Sequence, residues 1–244
     1  MTQNTPHVMV MIPTYNEQEN LELLVQQILA LPLQVQITIV DDDSPDGTGE
    51  LADRLAEQDP RVHVCHRRGV RGRASAGIAG FKAALQNPDI NLIVEMDADF
   101  SHDPADLPRL VEKAAQYDVV IGSRYIPGGQ AINCTLKNVA FSRIINFVNR
   151  MLFGLPVHDS SGGYKCYRRR VLETINLDNY LSREYSVGIE TLIKCKSHGF
   201  SLAEVPIVFR NRTRGKSKAN FHVLVEYPLT LILLEFKSLQ GQIR

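Results

Sequence analysis

The stretch Leu92-Ile-Val-Glu-Met-Asp-Ala-Asp-Phe-Ser-His-Asp-Pro104 decides how the chain is read. An apolar run stops at two carboxylates, Asp97 and Asp99, one residue apart. A short apolar run bounded in this way reads as a buried parallel strand. The two aspartates then sit where that strand leaves the sheet. Open α/β sheets bind ligands in the crevice beyond the carboxyl ends of their strands. Residues two apart in an extended chain project to one side, with Cα atoms roughly 6–7 Å apart. Two anions that close repel unless a cation lies between them. Mg²⁺ suits such a pair, because it takes few protein carboxylates and fills its octahedron with water and substrate phosphate. A lone Asp-x-Asp also fits a polar loop that caps the next helix, so the neighbouring sequence has to decide.

Upstream, Val8–Ile12 reads as a strand ending at Pro13-Thr-Tyr-Asn-Glu17. Asn16 is placed to cap the following helix, with Glu19 as its capping-box partner. Gln36–Val40 is a second strand, and it too ends in acid, at Asp41-Asp-Asp-Ser-Pro-Asp-Gly-Thr48. Arg61–Cys65 is a short third strand. The basic run Arg67-Arg-Gly-Val-Arg-Gly-Arg73 then opens into an Ala/Gly-rich helix. Downstream, residues 106–116 read as helix and Val119–Ile121 as a strand that ends at Gly122-Ser-Arg-Tyr125. The alternation predicts a mostly parallel sheet with right-handed crossovers. The acid-bearing loops at residues 13–17, 41–46 and 97–103 then fall along one edge of it.

The second half is less regular. Leu136–Phe153 reads as a helix whose apolar residues, among them Phe141, Ile144 and Met151, are expected to pack mostly on the sheet; Lys137, Arg143 and Arg150 mark its polar side. Gly162-Gly163 marks a turn or a close backbone approach. Val187–His198 is a helix stopped by Gly199. Ser201–Phe209 reads as one strand, followed by a basic, glycine-hinged segment to Lys218 and an apolar helix from about residue 219 to 239.

Length and composition agree. The 244 residues are enough for one large α/β domain, and 27 basic against 27 acidic residues give no support for nucleic-acid binding. Cys65, Cys134, Cys166 and Cys195 show no Cys-x-x-Cys pair and read as buried thiols in a reducing compartment. No run reaches the ~18–20 apolar residues needed to cross a bilayer. The N-terminus has no signal-peptide pattern, so the expected protein is soluble or peripheral. No Gly-x-Gly-x-x-Gly follows the first strand, which removes a dinucleotide dehydrogenase.

Taken together and in order, Pro13–Glu17, Val40–Thr48, Met96–Pro104, Gly122–Tyr125, Glu204-Val-Pro-Ile207 and Arg212–Lys218 resemble the dolichol-phosphate mannose synthases, family 2 glycosyltransferases of the GT-A fold. The resemblance implies a Rossmann-like, mostly parallel sheet flanked by helices, in a single domain with acceptor-side helices at its C-terminal end. Residues 8–125 would form the nucleotide-sugar half, 126–220 the acceptor half, and 221–244 an apolar helix at the membrane interface. It implies that Pro13, Tyr15, Glu17, Val40, Asp42, Asp97, Ala98, Asp99, Arg124, Arg212 and Lys218 line the donor site. Asp97, Asp99 and Ser101 would hold Mg²⁺ or Mn²⁺; Ser101 stands where some relatives carry a glutamine ligand. Asp99, Arg212 and Lys218 would be catalytic, with Arg212 and Lys218 on a loop that closes over donor and metal. Asp159 and Glu190 would lie on the acceptor side. Arg67–Arg73 departs from the Gly-Leu-Gly run common in the family and adds positive charge at Arg71 and Arg73.

The implied reaction passes mannose from GDP-mannose to dolichyl or polyprenyl phosphate, with inversion, at the cytoplasmic face of a membrane reached directly or through a partner. A phosphate monoester, with its second pKa near ~6, is already a nucleophile and needs no strong general base. His102 is the histidine to examine in that role. Two alternatives stand beside this reading. One is a UDP-sugar enzyme acting on undecaprenyl phosphate or a saccharide; the other is a non-catalytic nucleotide-sugar-binding subunit.

Overall fold

The computed structural model describes residues 5–69, 71–182 and 186–211. Parallel pairing joins strands β1 (His7–Thr14), β2 (Gln34–Asp41), β3 (Val62–His66) and β4 (Leu92–Glu95). Helices α1 (Gln18–Leu29), α2 (Thr48–Gln58) and α3 (Arg73–Leu85) connect them. After a 3-10 turn come α4 (Leu107–Lys113), β5 (Val119–Ser123), β6 (Gln130–Ile132) and α5 (Leu136–Phe153). Then follow β7 (Lys165–Arg168), α6 (Arg169–Thr174), α7 (Val187–Ser197), β8 (Leu202–Pro206) and β9 (Val208–Arg210). The seven-stranded sheet runs β3-β2-β1-β4-β7-β5-β8, and β6 pairs with β9 in a small second sheet. The expected α/β, mostly parallel architecture is therefore observed.

Strand alternation divides the core in two. Val8, Val10 and Ile12 of β1 face the side packed by α1, α2 and α4. Met9 and Met11 face the side packed by α3, α6 and α7. Gly80 of α3 lies so close to Met11 that a Cβ there would clash with it, so the small face Ala76, Gly77 and Gly80 lets this helix sit low on the sheet. The order reverses at β1, with β2 on one side and β4 on the other. Such a switch point opens a crevice at the carboxyl ends of the strands. The acid-bearing loops after β1, β2 and β4 meet there.

Four local expectations are corrected. Asn16 does not cap α1: it takes a positive φ of 56°, and Glu17 is the N-cap without a side-chain cap bond. The N–H groups entering α1 are served from the β2–α2 loop instead. Ser44 Oγ accepts from Asn16, Thr48 Oγ1 from Glu17 and Asp46 Oδ2 from Gln18. Residues 201–209 are not one strand, because β8 ends at Pro206 and the chain then pairs as β9 with β6. The strand β7 inserts antiparallel between β4 and β5, which the strand–helix alternation did not anticipate. Finally, the apolar stripe of α5 does not pack mostly on the sheet. Leu136, Ile144, Phe147 and Met151 are 88%, 62%, 55% and 67% exposed, while Asn146, Asn149 and Phe153 are buried. The asparagines explain the inversion: they hydrogen-bond the segment Asp159–Ser161 and fix which face turns inward. The expected apolar helix near residues 219–239 lies outside the described residues.

Candidate functional site

A cavity of about 310 Å³ opens beyond the end of β4, with Asp97 and Asp99 in its wall. Both follow the end of β4. Asp97 is held by its backbone: its N–H donates to His102 Nδ1 at 3.2 Å, which places the ring proton on Nε2. His102 is buried, stacked on Tyr164 with ring centroids 5.0 Å apart and edge-on to Phe209. Burial pushes its pKa down. His102 thus positions Asp97 as a neutral acceptor. Asp99 is folded back on its own turn, with Oδ1 accepting from the Ser101 N–H at 3.0 Å. Ser101 and Ala98 are buried beneath this corner.

Across from the aspartates, Gly163 leaves a gap. A Cβ built there would stand 3.3 Å from Asp97 Oδ2 and 3.2 Å from both Arg73 Nη2 and His102 Cε1. Among the described residues there is no cluster of three or more His, Cys, Asp or Glu able to hold a metal by itself. Two carboxylates beside an open, glycine-lined gap nevertheless fit an ion of the Mg²⁺ or Mn²⁺ kind, which fills its other positions with water and phosphate oxygens. Of the expected ligands, Asp97 and Asp99 line this gap, and the buried Ser101 holds Asp99 through its backbone N–H.

Arg73, the first residue of α3, closes this corner from the side. Its Nη1 lies 2.7 Å from Asp97 Oδ1 and its Nη2 3.3 Å from Glu95 Oε1. Alternation along β4 puts Glu95 on the α3 face, opposite Lys165 of β7 in register. Both are buried. Burial raises the Glu95 pKa and lowers that of Lys165. Both line the cavity, and neither stood out in the sequence, because each sits inside a short strand.

Pro13 near the end of β1, and Tyr15 and Glu17 just after it, are half-buried. Arg71 lies over the Tyr15 ring at 5.1 Å and donates to its hydroxyl and to Asp43. Asp42 is buried and accepts from Arg67 through one oxygen and from the Gly72 N–H, at 3.0 Å, through the other. The Val40 side chain is fully buried in the core with Met11 and Phe81.

On the far wall Arg124, just after β5, is gripped by Asp159. Arg124 Nη2 also donates to Ser142 Oγ of α5 at 3.2 Å and to Ser161 Oγ at 2.9 Å. Asp159, expected on the acceptor side, has no exposed surface and orients Arg124. Burial alone would raise its carboxyl, but the hydrogen bonds and charge of Arg124 outweigh this and hold it below the usual carboxylate range. Glu190, also expected on the acceptor side, is buried too. It is 1% exposed and accepts from the N–H groups of Leu181 and Ser182, so it anchors a loop. Ser142, Ser161, Gly163 and Lys165 were missed; the Gly162-Gly163 turn was the one signal pointing toward them. Arg212 and Lys218 lie outside the described residues.

Residues 9–175 match the family described as glycosyl transferase family 2. The chain belongs to glycosyl transferase family 2. It is similar to the polyprenol monophosphomannose synthase of Mycolicibacterium smegmatis, with 46% identity over 88% of this chain and 81% of that protein. It is 39% identical to the undecaprenyl-phosphate mannosyltransferase of Micrococcus luteus, over 90% of each chain. It is 37% identical to the dolichol-phosphate mannosyltransferase of Pyrococcus furiosus, over 90% of this chain and 61% of that one. Among solved structures, glucosyl-3-phosphoglycerate synthase of Mycobacterium tuberculosis in complex with uridine diphosphate superposes with a TM-score of 0.68 at 17% identity, covering 94% of this chain and 80% of that one. That likeness concerns the fold, which is the GT-A fold. The family 2 chain is a glycosyltransferase, so the non-catalytic alternative falls away.

Proposed function

We propose that this glycosyltransferase moves mannose from GDP-mannose to a polyprenyl phosphate. The observation that carries the reading is the convergence on one cavity of an acidic corner and a cationic wall. Asp97 and Asp99 offer a place for a metal-bound diphosphate; Arg124, with Ser142 and Ser161, offers a place for a second phosphate. A transfer from one phosphate ester to another needs both. The names of the similar curated relatives all join mannose to a polyprenyl phosphate, which supports the same choice here.

In the reaction, the bond from the anomeric carbon to the diphosphate oxygen breaks as an acceptor phosphate oxygen bonds that carbon from the opposite face. Bound Mg²⁺ or Mn²⁺ would supply positive charge where the leaving diphosphate gains negative charge. Asp97 and Asp99 would hold that ion; His102 fixes the Asp97 backbone N–H and the Ser101 N–H fixes the Asp99 carboxylate. Tyr15, Glu17 and Asp42 border the nucleoside. Arg124 brings positive charge to this wall; Asp159, Ser142 and Ser161 take its Nε and Nη2, so a phosphate would meet the guanidinium at Nη1. Arg212 and Lys218, which the resemblance assigns to the donor phosphates, lie outside the described residues. Residues 8–125 form the donor half and 126–220 the acceptor half.

The lipid tail leaves along α5. Phe141, Ser142 and Ile145 of that helix line the cavity, and Ile144, Phe147 and Met151 face outward beside Lys137, Arg143 and Arg150. Such a helix suits the surface of an anionic leaflet. No helix among the described residues is long and apolar enough to cross a membrane. The protein then works at the cytoplasmic face of the membrane.

The test is incubation with radiolabelled GDP-mannose, Mg²⁺ and a polyprenyl phosphate. Label entering the organic phase, and lost in Asp99→Ala, is the expected result. Organic-phase label from UDP-glucose alone would overturn the donor, and label confined to water-soluble product would overturn the acceptor.

A further inference from the structure

Three arginines of one basic run reach into the acid-lined crevice. Arg67 pairs with Asp42, Arg71 with Asp43, and Arg73 with both Glu95 and Asp97. The run is anchored beside the nucleoside border by the Gly72 N–H on Asp42 and by Arg71 on Tyr15. Its last guanidinium occupies an oxygen of Asp97, one of two carboxylates that the metal needs. A guanidinium and a dication on one carboxylate repel each other, most strongly where water is partly excluded. The Arg73 side chain is 24% exposed and that of Asp97 29%, so the pair is only partly bathed in solvent.

We propose that Arg73 is a resident counter-cation of the donor site, competing with the metal for Asp97 until the donor diphosphate enters and draws the guanidinium to itself. This rests on the metal reading given above. A diphosphate is an anion that a guanidinium fork can accept in exchange for a carboxylate. The empty protein then binds metal weakly. Metal and nucleotide bind as a pair, each tightening the other by one common factor. Part of that factor comes from phosphate oxygens on the ion, and the remainder is the competition that Arg73 supplies. The arrangement keeps the aspartate pair from being occupied by a cation before a donor is present.

The test measures free Mn²⁺ by electron paramagnetic resonance with wild type, Arg73→Gln and Arg73→Lys, each with and without GDP. Arg73→Gln is expected to bind Mn²⁺ alone about tenfold more tightly than wild type, with a correspondingly smaller gain from GDP. Arg73→Lys keeps the charge and is expected to stay near wild type. Affinity in Arg73→Gln equal to or weaker than wild type overturns the inference while leaving the metal site standing. Absence of Mn²⁺ binding in wild type and variant alike, with GDP present, overturns both. A second measurement needs no folded Gln variant. In ¹⁵N-arginine-labelled wild type, the Nε–H resonance of Arg73 is expected to move when Mg²⁺ and GDP are added together; an unmoved resonance overturns the competition.

Discussion

Asp159 grips Arg124 with both carboxylate oxygens: Oδ2 accepts from Nε and Oδ1 from Nη2, each at 2.7 Å. The carboxylate is sealed from solvent, and Oδ2 also takes the Arg124 backbone N–H at 2.9 Å. Removing it by Asp159→Ala strands a buried guanidinium, which costs about 3–5 kcal/mol. Asp159→Asn keeps the shape but loses the charge. Because the folded-state pKa is depressed, the pair stabilises the fold fully above the unfolded value of about 3.9 and loses that contribution as pH falls through the folded pKa. Urea midpoints from pH 6 to 3 should therefore drop more steeply for wild type than for Asp159→Asn. Parallel curves would contradict this account of the pair.

Gly163 borders the proposed metal corner closely. A Cβ there would sit 3.2–3.3 Å from Arg73, His102 and Asp97. Gly163→Ala should cost about 1 kcal/mol in stability yet lower Mn²⁺ affinity in the presence of GDP about tenfold. Equal metal affinity in the two proteins would move the site away from this gap.

Cys166 and Cys195 are buried, and burial pushes each thiol up to about 12. Cys65 and Cys134 are half-buried. Brief iodoacetamide treatment at pH 8 followed by peptide mass spectrometry should label the half-buried pair and spare the buried one, since only thiolate reacts. Labelling of Cys166 in the folded protein would show that β7 opens readily.

The outward face of α5 separates stability from membrane contact. Ile144→Glu with Phe147→Glu replaces residues that are 62% and 55% exposed, so the fold should change by less than about 0.5 kcal/mol. Sedimentation with vesicles rich in anionic lipid should fall severalfold, and the apparent KM for a long-chain acceptor should rise. Unchanged sedimentation would remove α5 from the membrane contact.

The fold was legible where local chemistry matched the final structure. The apolar strands β1, β2 and β4 each stop at acids, and parallel pairing brings those ends together. The helix Leu136–Phe153 was bounded by its own pattern, Thr135 capping it through Asn138 N–H and Gly154 ending it in the left-handed region. What escaped depends on distant partners. β7 carries Lys165 in a Lys-Cys-Tyr-Arg run that looks like surface, and only insertion between β4 and β5 buries it. The inward face of α5 is set by Asn146 meeting Asp159 and Ser161, which hydropathy cannot register. Asp159 and Glu190 were recognisable as acids near the site, but their partners, not their identity, make them supports.

The central claim is that Asp97 and Asp99 hold the dication that carries the donor diphosphate. Anomalous diffraction at the manganese edge, from a crystal soaked in Mn²⁺ and GDP, tests it most directly. The account predicts one peak within coordination distance of both carboxylates, bridged to the diphosphate, beside Gly163. A peak elsewhere, or GDP bound with the aspartate corner empty, would contradict it.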